Sequence, residues 1–464
     1  MNTVTVLTPT GCIGNRGIFK EAFIEALDAN KPDVVAVDGG SFDIGPWYLG
    51  TGKPHSPLTN LRRDLEIILV EAVHKRGIPF ILGSSGGSGA NAHVDFTLDL
   101  VMKIAQENSI SFPVGTIYSD IEKQTVKNAL LKGTKMPKVP TTLLGDLLTT
   151  EQVEQARTIV AMMGVEPIIE TLQQGAQVVL AGRAADSCAI GAYPVMLGFD
   201  KGLSIHMGDI MECGESALTD TTGVTKVLGP NRIPIVGTMH DDHFTLQPGH
   251  PGMICSVESA TAHSLYERES HAIVELPGGL LEKHATVFSQ ETPSTVRVSG
   301  TKFTEQAYTV LLEGVSFLGY RTIAILGARN HRMIEQIDEI LAQEKRSAEA
   351  SFQTAGQFSI RYHVYGKGAV LGLREPLSSH PTEIGIVLDI VSETQQLSHD
   401  IAEDLSLKIA FSRYRDRTTT AGNVGYLFSP NVIDVGETFE TTIYHQMPIS
   451  DPLELFDIKI TQAG

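Results

Sequence analysis

Residues 79–91 read PFILGSSGGSGAN. A short apolar run stops at Gly83, a glycine- and serine-rich cluster follows, and a helix-forming stretch opens at Asn91. An apolar run this short, bounded by turn residues, suits a strand buried on both faces. Three more such runs occur nearby. VTVLTP leads into Thr10-Gly11-Cys12-Ile13-Gly14, VVAVD into Gly39-Gly40-Ser41-Phe42-Asp43, and VVLAG into Arg183-Ala184-Ala185-Asp186. Each is followed by a helix-like stretch, so the pattern predicts a parallel sheet with right-handed crossovers. Ligands of open α/β sheets bind outside the carboxyl ends of the strands. The four clusters therefore mark a small-molecule site.

Working outward, strands are expected at Val4–Leu7, Val34–Val37, Phe80–Leu82, Val114–Tyr118 and Val178–Leu180. Helices are expected at Arg16–Ala29, Asn60–Arg76, Asn91–Asn108, Thr150–Met163, Glu166–Gln174 and Asp186–Gly198. Beyond about residue 215 period-2 alternation takes over, as in STVRVSG, YTVLLEG and YRTIAILG, which reads as added antiparallel sheet. The fold class is α/β: a mostly parallel sheet with helices on both faces in the N-terminal part, antiparallel additions, and a smaller C-terminal α+β domain. The expected division is 1–330 for the α/β domain, 331–350 for a connecting helix and 351–464 for the α+β domain.

A chain of 464 residues calls for two domains by default. The net charge of −18 argues against nucleic acid and anionic membranes as partners. No apolar run approaches the roughly 20 residues of a membrane span, and the first residues lack the basic and apolar regions of a signal peptide. A cytoplasmic location is expected. Cys12, Cys188, Cys213 and Cys255 show no paired spacing, which fits reduced thiols.

Several motifs carry possible chemistry. Thr10–Gly17 fits TGxxGxxG, as in short-chain dehydrogenases, and Asp38 stands where a ribose-binding acid would. Gly87–Ala92 fits GxGxxA as well, and two competing fingerprints read more simply as tight strand-to-helix turns. Tyr118 is followed four residues later by Glu122, so the dehydrogenase Tyr-x-x-x-Lys pair is missing there. A nicotinamide cofactor is not expected, and P-loop chemistry has no GxxxxGK[ST] to support it.

The loop from Gly83 to Asn91 is a candidate anion cradle, with Ser85, Gly86, Gly87, Ser88, Gly89 and Asn91 as substrate-binding residues, joined by Ser41 of the second cluster. The alternative is a plain Gly/Ser turn. Asp38 and Asp43, with Ser41 between them, and Asp186 are candidate acid–base groups, because neighbouring carboxylates push their pKa values apart. Arg183 is a candidate fork for a carboxylate or phosphate; its alternative partner is Asp186. His206, Asp209, Glu212 and Cys213 fall on a possible helix. With His240-Asp241-Asp242-His243 they could bind a divalent metal, although no standard ligand spacing is present. The competing reading is a polar turn beside a half-buried helix.

Longer strings resemble the acyclic terpene utilisation (AtuA) family. They include Val37-Asp38-Gly39-Gly40-Ser41, Gly45-Pro46-Trp47-Tyr48-Leu49-Gly50-Thr51-Gly52-Lys53, Arg62-Arg63-Asp64-Leu65-Glu66, Ala181-Gly182-Arg183-Ala184-Ala185-Asp186 and His206-Met207-Gly208-Asp209-Ile210-Met211-Glu212-Cys213. Asp241-Asp242-His243-Phe244 and Thr420-Ala421-Gly422-Asn423 continue the likeness. The resemblance implies catabolism of acyl compounds or carboxylic acids, and a small partner protein of about a hundred residues.

The expected function is a lyase or isomerase that hydrates or dehydrates a carboxylic acid or acyl thioester such as an acyl-CoA. Asp38, Asp43 or Asp186 would be the base; Arg183 and the Gly83–Asn91 loop would bind the carboxylate or enolate oxygen; His206, Glu212 or His243 would be the acid or metal ligands. The alternatives are a dinucleotide-dependent oxidoreductase and a subunit that completes a site only with its small partner. Apolar alternation in GIVLDIVS and FETTIYHQM suggests a homo-oligomer.

Overall fold

The computed structural model describes residues 3–15, 17–139, 147–228, 233–266, 270–377, 380–420 and 423–464. The chain opens with β1 (Val4–Thr8), α1 (Lys20–Asn30), β2 (Val34–Asp38), α2 (Leu58–Ile68), β3 (Phe80–Gly83), α3 (Asn91–Asn108) and β4 (Phe112–Tyr118). It continues with β5 (Ala156–Met162), α4 (Glu166–Gln173), β6 (Val178–Ala181), α5 (Asp186–Met196) and α6 (Lys201–Met211). Then come β7 (Ile235–Met239), β8 (His243–Pro248), α7 (Val257–Ser264), β9 (Val287–Thr292), β10 (Thr295–Ser299) and β11 (Thr309–Ala328). The remainder is α8 (Ile337–Ser351), β12 (Phe358–Tyr365), β13 (Ile384–Ser392), α9 (Gln395–Ala410), β14 (Val432–Pro448) and β15 (Asp457–Ala463).

Two compact units result: Met1–Ser316 with Thr441–Gly464, and Phe317–Glu440. The first is built on a ten-stranded sheet in the order β9-β10-β8-β7-β1-β2-β3-β6-β4-β15. Its centre, β1-β2-β3-β6-β4, is parallel. Antiparallel strands extend both sides, β7 and β8 beyond β1 and β15 beyond β4. The expected α/β class holds.

Period-2 alternation explains the two-sided core. Val6, Ala36, Ile81, Val179 and Ile117 face one layer with Ala189, Ile190, Met207 and Ile210 of α5 and α6. Their neighbours Leu7, Val35, Val37, Phe80, Leu82 and Leu180 face the other, with Phe23, Leu61, Leu65, Val101 and Ile104 of α1 to α3. Every residue of β2, β3 and β6 is buried, as a central parallel strand requires.

One expected helix splits. Only Thr150–Gln155 is helical, closed by a reciprocal cap in which Gln152 N–H donates to Thr149 Oγ1 at 3.3 Å and Thr149 N–H to Gln152 Oε1 at 3.0 Å. The rest is β5, whose Thr158-Ile159-Val160 run pairs with Glu313–Val315 of β11. β-branched residues lose rotamer freedom in a helix and pack well on a pleated surface. The helix expected from Arg16 begins at Lys20. Arg16, Ala421 and Gly422 lie outside the described residues.

In the second unit β12 and β13 pair with each other, and β13 pairs with Tyr320–Ala328 of β11. α8 and α9 cover this sheet through Ile337, Ile340, Leu341, Ile401, Leu405 and Ile409. No helix among the described residues is long and apolar enough to cross a membrane.

Candidate functional site

The parallel strands point their carboxyl ends at one edge, and the four glycine-rich clusters meet there. Ile13 N–H donates to the carbonyl of Asp38 at 3.0 Å, joining the β1 and β2 loops. Gly39 N–H donates to Gly83 O at 2.8 Å, and Ser85 N–H to Ala181 O at 2.9 Å, joining β2 to β3 and β3 to β6. A Cβ on Gly40 would stand 3.0 Å from Gly87 Cα, so the two loops touch backbone to backbone. Asp38, Ser85–Gly89 and Arg183–Asp186 are thus brought together at the edge where ligands of such sheets bind.

Arg183 organises this edge from inside. It is 4 % exposed. Its Nε and Nη2 donate to the two oxygens of Glu313 on β11, at 2.8 and 3.2 Å. Nη1 lies 3.0 Å from Asp186 Oδ1, 3.1 Å from Ser84 Oγ and 2.8 Å from Ala184 O. The fork expected for a substrate anion is filled by the protein's own carboxylates. Ser84 is held at φ 41°, a left-handed conformation costly for a residue with a Cβ. Its hydroxyl spans the Arg183–Ala184 backbone, accepting from Ala184 N–H at 3.3 Å and donating to Ala184 O at 3.2 Å.

Charge is unevenly distributed here. Beside the one guanidinium stand Glu313, Asp186 and Asp38, with exposed Asp43 close enough to raise the pKa values of Glu313 and Cys12. Burial, with the Asp186 charge behind it, holds the Asp38 carboxyl well above the ordinary carboxylate range, although Arg183 and the loop amides pull the other way. Asp38 Oδ2 accepts from Gly40 N–H at 2.8 Å. Its Oδ1, and the hydroxyls of Ser85 and Ser88, are buried and find no hydrogen-bond partner among the described residues. So does Nδ1 of His55, whose N–H donates to Gly86 O at 2.9 Å and whose Cβ stands 2.9 Å from where a Gly87 Cβ would be. Buried polar atoms are rarely left unpaired. Four such atoms lie along adjoining loops at this edge.

Beside this edge, within the first unit, lies a cavity of about 200 Å³. Asp186, Ser187, Glu212 and Glu275, with Tyr444 and Gln446, are among its polar lining; Met162, Val274, Leu276, Pro277 and Leu311 are among its apolar lining. Asp186 belongs to both places, through Arg183 on one side and the cavity on the other.

The other candidates fall as follows. Ser41 is half-buried in the β2 loop. Asn91 serves the fold: its Oδ1 accepts from Ser119 N–H at 3.0 Å and Asp120 N–H at 3.1 Å, beyond the end of β4. His206 faces away into the interior, with Nδ1 2.7 Å from Thr301 Oγ1 and Nε2 2.8 Å from Ser264 Oγ. His243 sits on the opposite edge. Met239 pairs with Val4 at the start of β1, and His243 lies just beyond it, stacked on His240 at 4.3 Å and 2.6 Å from Asp242. The expected metal cluster is therefore divided between two edges of the sheet.

The dinucleotide fingerprint has a different occupant. Asp64 is fully buried and accepts from Gly14 N–H and Ile18 N–H, each at 3.0 Å. This carboxylate uses amides of the turn that a pyrophosphate would need. A Cβ on Gly14 would meet Ser56, and one on Gly17 would meet Arg63, so both glycines make room for protein.

Sequence reasoning missed Glu313, His55 and Asp64. Glu313 had a signal: it is the lone charge in TVLLEGV, and such a charge is seldom buried without a partner. Asp64 stood in the family-like string Arg62–Glu66 with no role assigned to it, and His55 had no signal beyond its place in a loop.

A mixed α/β protein with a carboxylate-rich crevice at its strand ends is what the fold and site define. The chain belongs to the acyclic terpene utilisation family: the model of "Acyclic terpene utilisation family protein AtuA" matches residues 59–423. The matched span takes in Glu313, Arg183 and the β3 loop. No curated protein and no solved structure matches the chain. Family membership implies a catabolic role.

Proposed function

We propose that this protein is a catabolic enzyme of the lyase or isomerase type, which hydrates or dehydrates a short branched carboxylic acid or its acyl thioester. The observation that carries the reading is Asp186: it stands on the wall of a partly apolar cavity, and its charge adds to burial in pushing the Asp38 carboxyl up. A carboxylate beside a protonated carboxyl is the base-and-acid pair that dehydration needs. In that direction Asp186 takes the α-proton and Asp38 gives its proton to the departing β-hydroxyl. Water leaves and the double bond forms. Arg183 is a positioning residue that holds Asp186 in place through its 3.0 Å contact to Oδ1. Donors of the Ser85–Gly89 loop meet the carbonyl oxygen as negative charge develops on it.

The cavity volume favours a small acyl group. Sites for drug-sized ligands occupy roughly 300–1,000 Å³, so about 200 Å³ suits a short branched chain, with any thioester carrier outside. The test is a panel of branched 3-hydroxyacyl and 2-enoyl compounds, free and as CoA thioesters, incubated with the full-length protein. Exchange of solvent deuterium at the α-carbon, or loss of enoyl absorbance, is the expected result. A panel showing neither exchange nor hydration, with no ligand-induced rise in melting temperature, overturns the reading.

A further inference from the structure

Glu212, Cys213 and His263 stand together, and Glu212 lines the cavity. One ligand atom from each lies within 4.8 Å of the others: a carboxylate oxygen, the Cys213 sulfur and an imidazole nitrogen. We propose that these three residues form a mononuclear zinc site, which no spacing in the sequence announces because its third ligand comes from another helix.

Three arguments support it. The first is chemical. Oxygen, sulfur and nitrogen donors of this kind are what Zn²⁺ takes, at about 2.0–2.3 Å, in tetrahedral geometry. Such bonds put ligand atoms roughly 3.3–3.8 Å apart, so small side-chain rotations close the triad onto an ion.

The second is rigidity. Glu212 caps the carboxyl end of α6 and Cys213 opens the short turn Gly214–Ala217. That backbone is pinned to the β1 loop, since a Cβ on Gly11 would stand 3.0 Å from Cys213 O. His263 is fixed from behind. Its neighbour Ser264 bonds His206 through Oγ at 2.8 Å, and its carbonyl accepts from Lys283 Nζ at 2.6 Å. Lys283 also lies 3.3 Å from Asp209. His206 and Asp209 thus act on the site indirectly, by anchoring the end of α7. A preorganised ligand set of this kind is what a metal site requires.

The third is access. Glu212 lines the cavity. Three protein ligands leave a fourth position open, the arrangement of catalytic rather than structural zinc. Glu212 shares its cavity with Asp186, and a carbonyl or carboxylate oxygen of the substrate is the ligand that suits an open position on the ion. Only this last role rests on the acyl reading; metal binding does not.

The experiment uses the full-length protein, stripped with chelator and titrated with Zn²⁺ against a chromophoric competitor. One tight equivalent is expected. Cys213→Ser and His263→Gln should each weaken binding by at least about a hundredfold, more than loss of a residue that only orients a ligand. His240→Gln, on the opposite edge, should leave it unchanged. Co²⁺ in place of Zn²⁺ should give a near-ultraviolet thiolate-to-metal band that Cys213→Ser abolishes. Unchanged affinity in both ligand variants, or Co²⁺ bound with no thiolate band, overturns the proposal. Melting temperatures of the stripped variants show whether a lost site is merely a lost fold; if one variant fails to fold, the cobalt band of the other decides. No substrate is needed, so a failed titration leaves the acyl reading standing, and absent turnover leaves the zinc site standing.

Discussion

Arg183 and Glu313, 130 residues apart, meet as a fork, with Nε to Oε2 at 2.8 Å and Nη2 to Oε1 at 3.2 Å, both side chains almost fully buried. Removing one member of a buried pair leaves the other charged and unpaired, at a cost of about 3–5 kcal/mol. Arg183→Ala and Glu313→Gln should therefore both destabilise the first unit strongly in urea denaturation. Arg183→Lys should recover little, because an ammonium keeps the charge but cannot bridge two oxygens. Asp186→Asn should cost much less, since its side chain is 34 % exposed. A loss under about 1 kcal/mol for Arg183→Ala would return the guanidinium to the list of substrate ligands.

Asp38 makes a prediction with a sign. Burial, then Asp186, raises its pKa in the folded state above the unfolded value. The stability it contributes is full below the unfolded pKa, about 3.9, and is lost as pH rises through the folded value. Asparagine has no proton to lose. Across pH 4 to 8, in differential scanning calorimetry, Asp38→Asn should gain on the wild type as pH rises. Its turnover should fall about 10²- to 10⁴-fold, the usual worth of a positioned acid. A wild type whose lead grows with pH would mean that Asp38 is comfortably ionised and cannot be the acid.

The strand ends were legible in the sequence because glycine and small polar residues have few other reasons to follow an all-apolar run. That pattern alone puts Asp38, Ser85–Gly89 and Arg183–Asp186 on one edge. Direction along the sheet was not legible. His243 looked like a neighbour of Cys213 by type, yet the antiparallel turn after Met239 carries it to the far edge, while Cys213 abuts Gly11 at the carboxyl end of β1. Partner identity was also hidden. Nothing local says that Arg183 faces Glu313 rather than a ligand, or that His263 approaches Cys213, because both pairings arise from tertiary packing. Thr150–Met163 failed for a related reason: β5 exists because β11 offers it a partner.

Substrate size can be tested at the cavity's exposed wall. Val274 is half-buried on the strand Ile273–Leu276 and lines the cavity. Val274→Trp should fill the apolar end while leaving Asp186 and Asp38 untouched. A single methylene in such a pocket is worth about 1–3 kcal/mol, so kcat/KM for branched acyl substrates should fall at least about tenfold, mostly through KM, with the shortest substrates affected least. An equal loss for every chain length, carried by kcat, would place the acyl group elsewhere.

The β1 turn decides between an acyl enzyme and a dinucleotide enzyme. Asp64 accepts from Gly14 N–H and Ile18 N–H at 3.0 Å each, and Arg63 flanks it with Nη2 at 3.0 Å. If this internal carboxylate is what the turn was shaped to hold, Asp64→Ala strands two buried donors, each worth about 1–3 kcal/mol. Asp64→Asn has one acceptor oxygen in place of two, so its loss should fall between wild type and alanine. Neither variant should acquire affinity for NADH or NADPH, because the glycine faces remain filled by Ser56 and Arg63. Urea denaturation beside nicotinamide fluorescence titration reads both quantities on the same samples. Saturable NADH binding by the wild type, lost in neither variant and accompanied by no change in stability, would show that the turn holds its ligand without Asp64 and would restore the oxidoreductase reading.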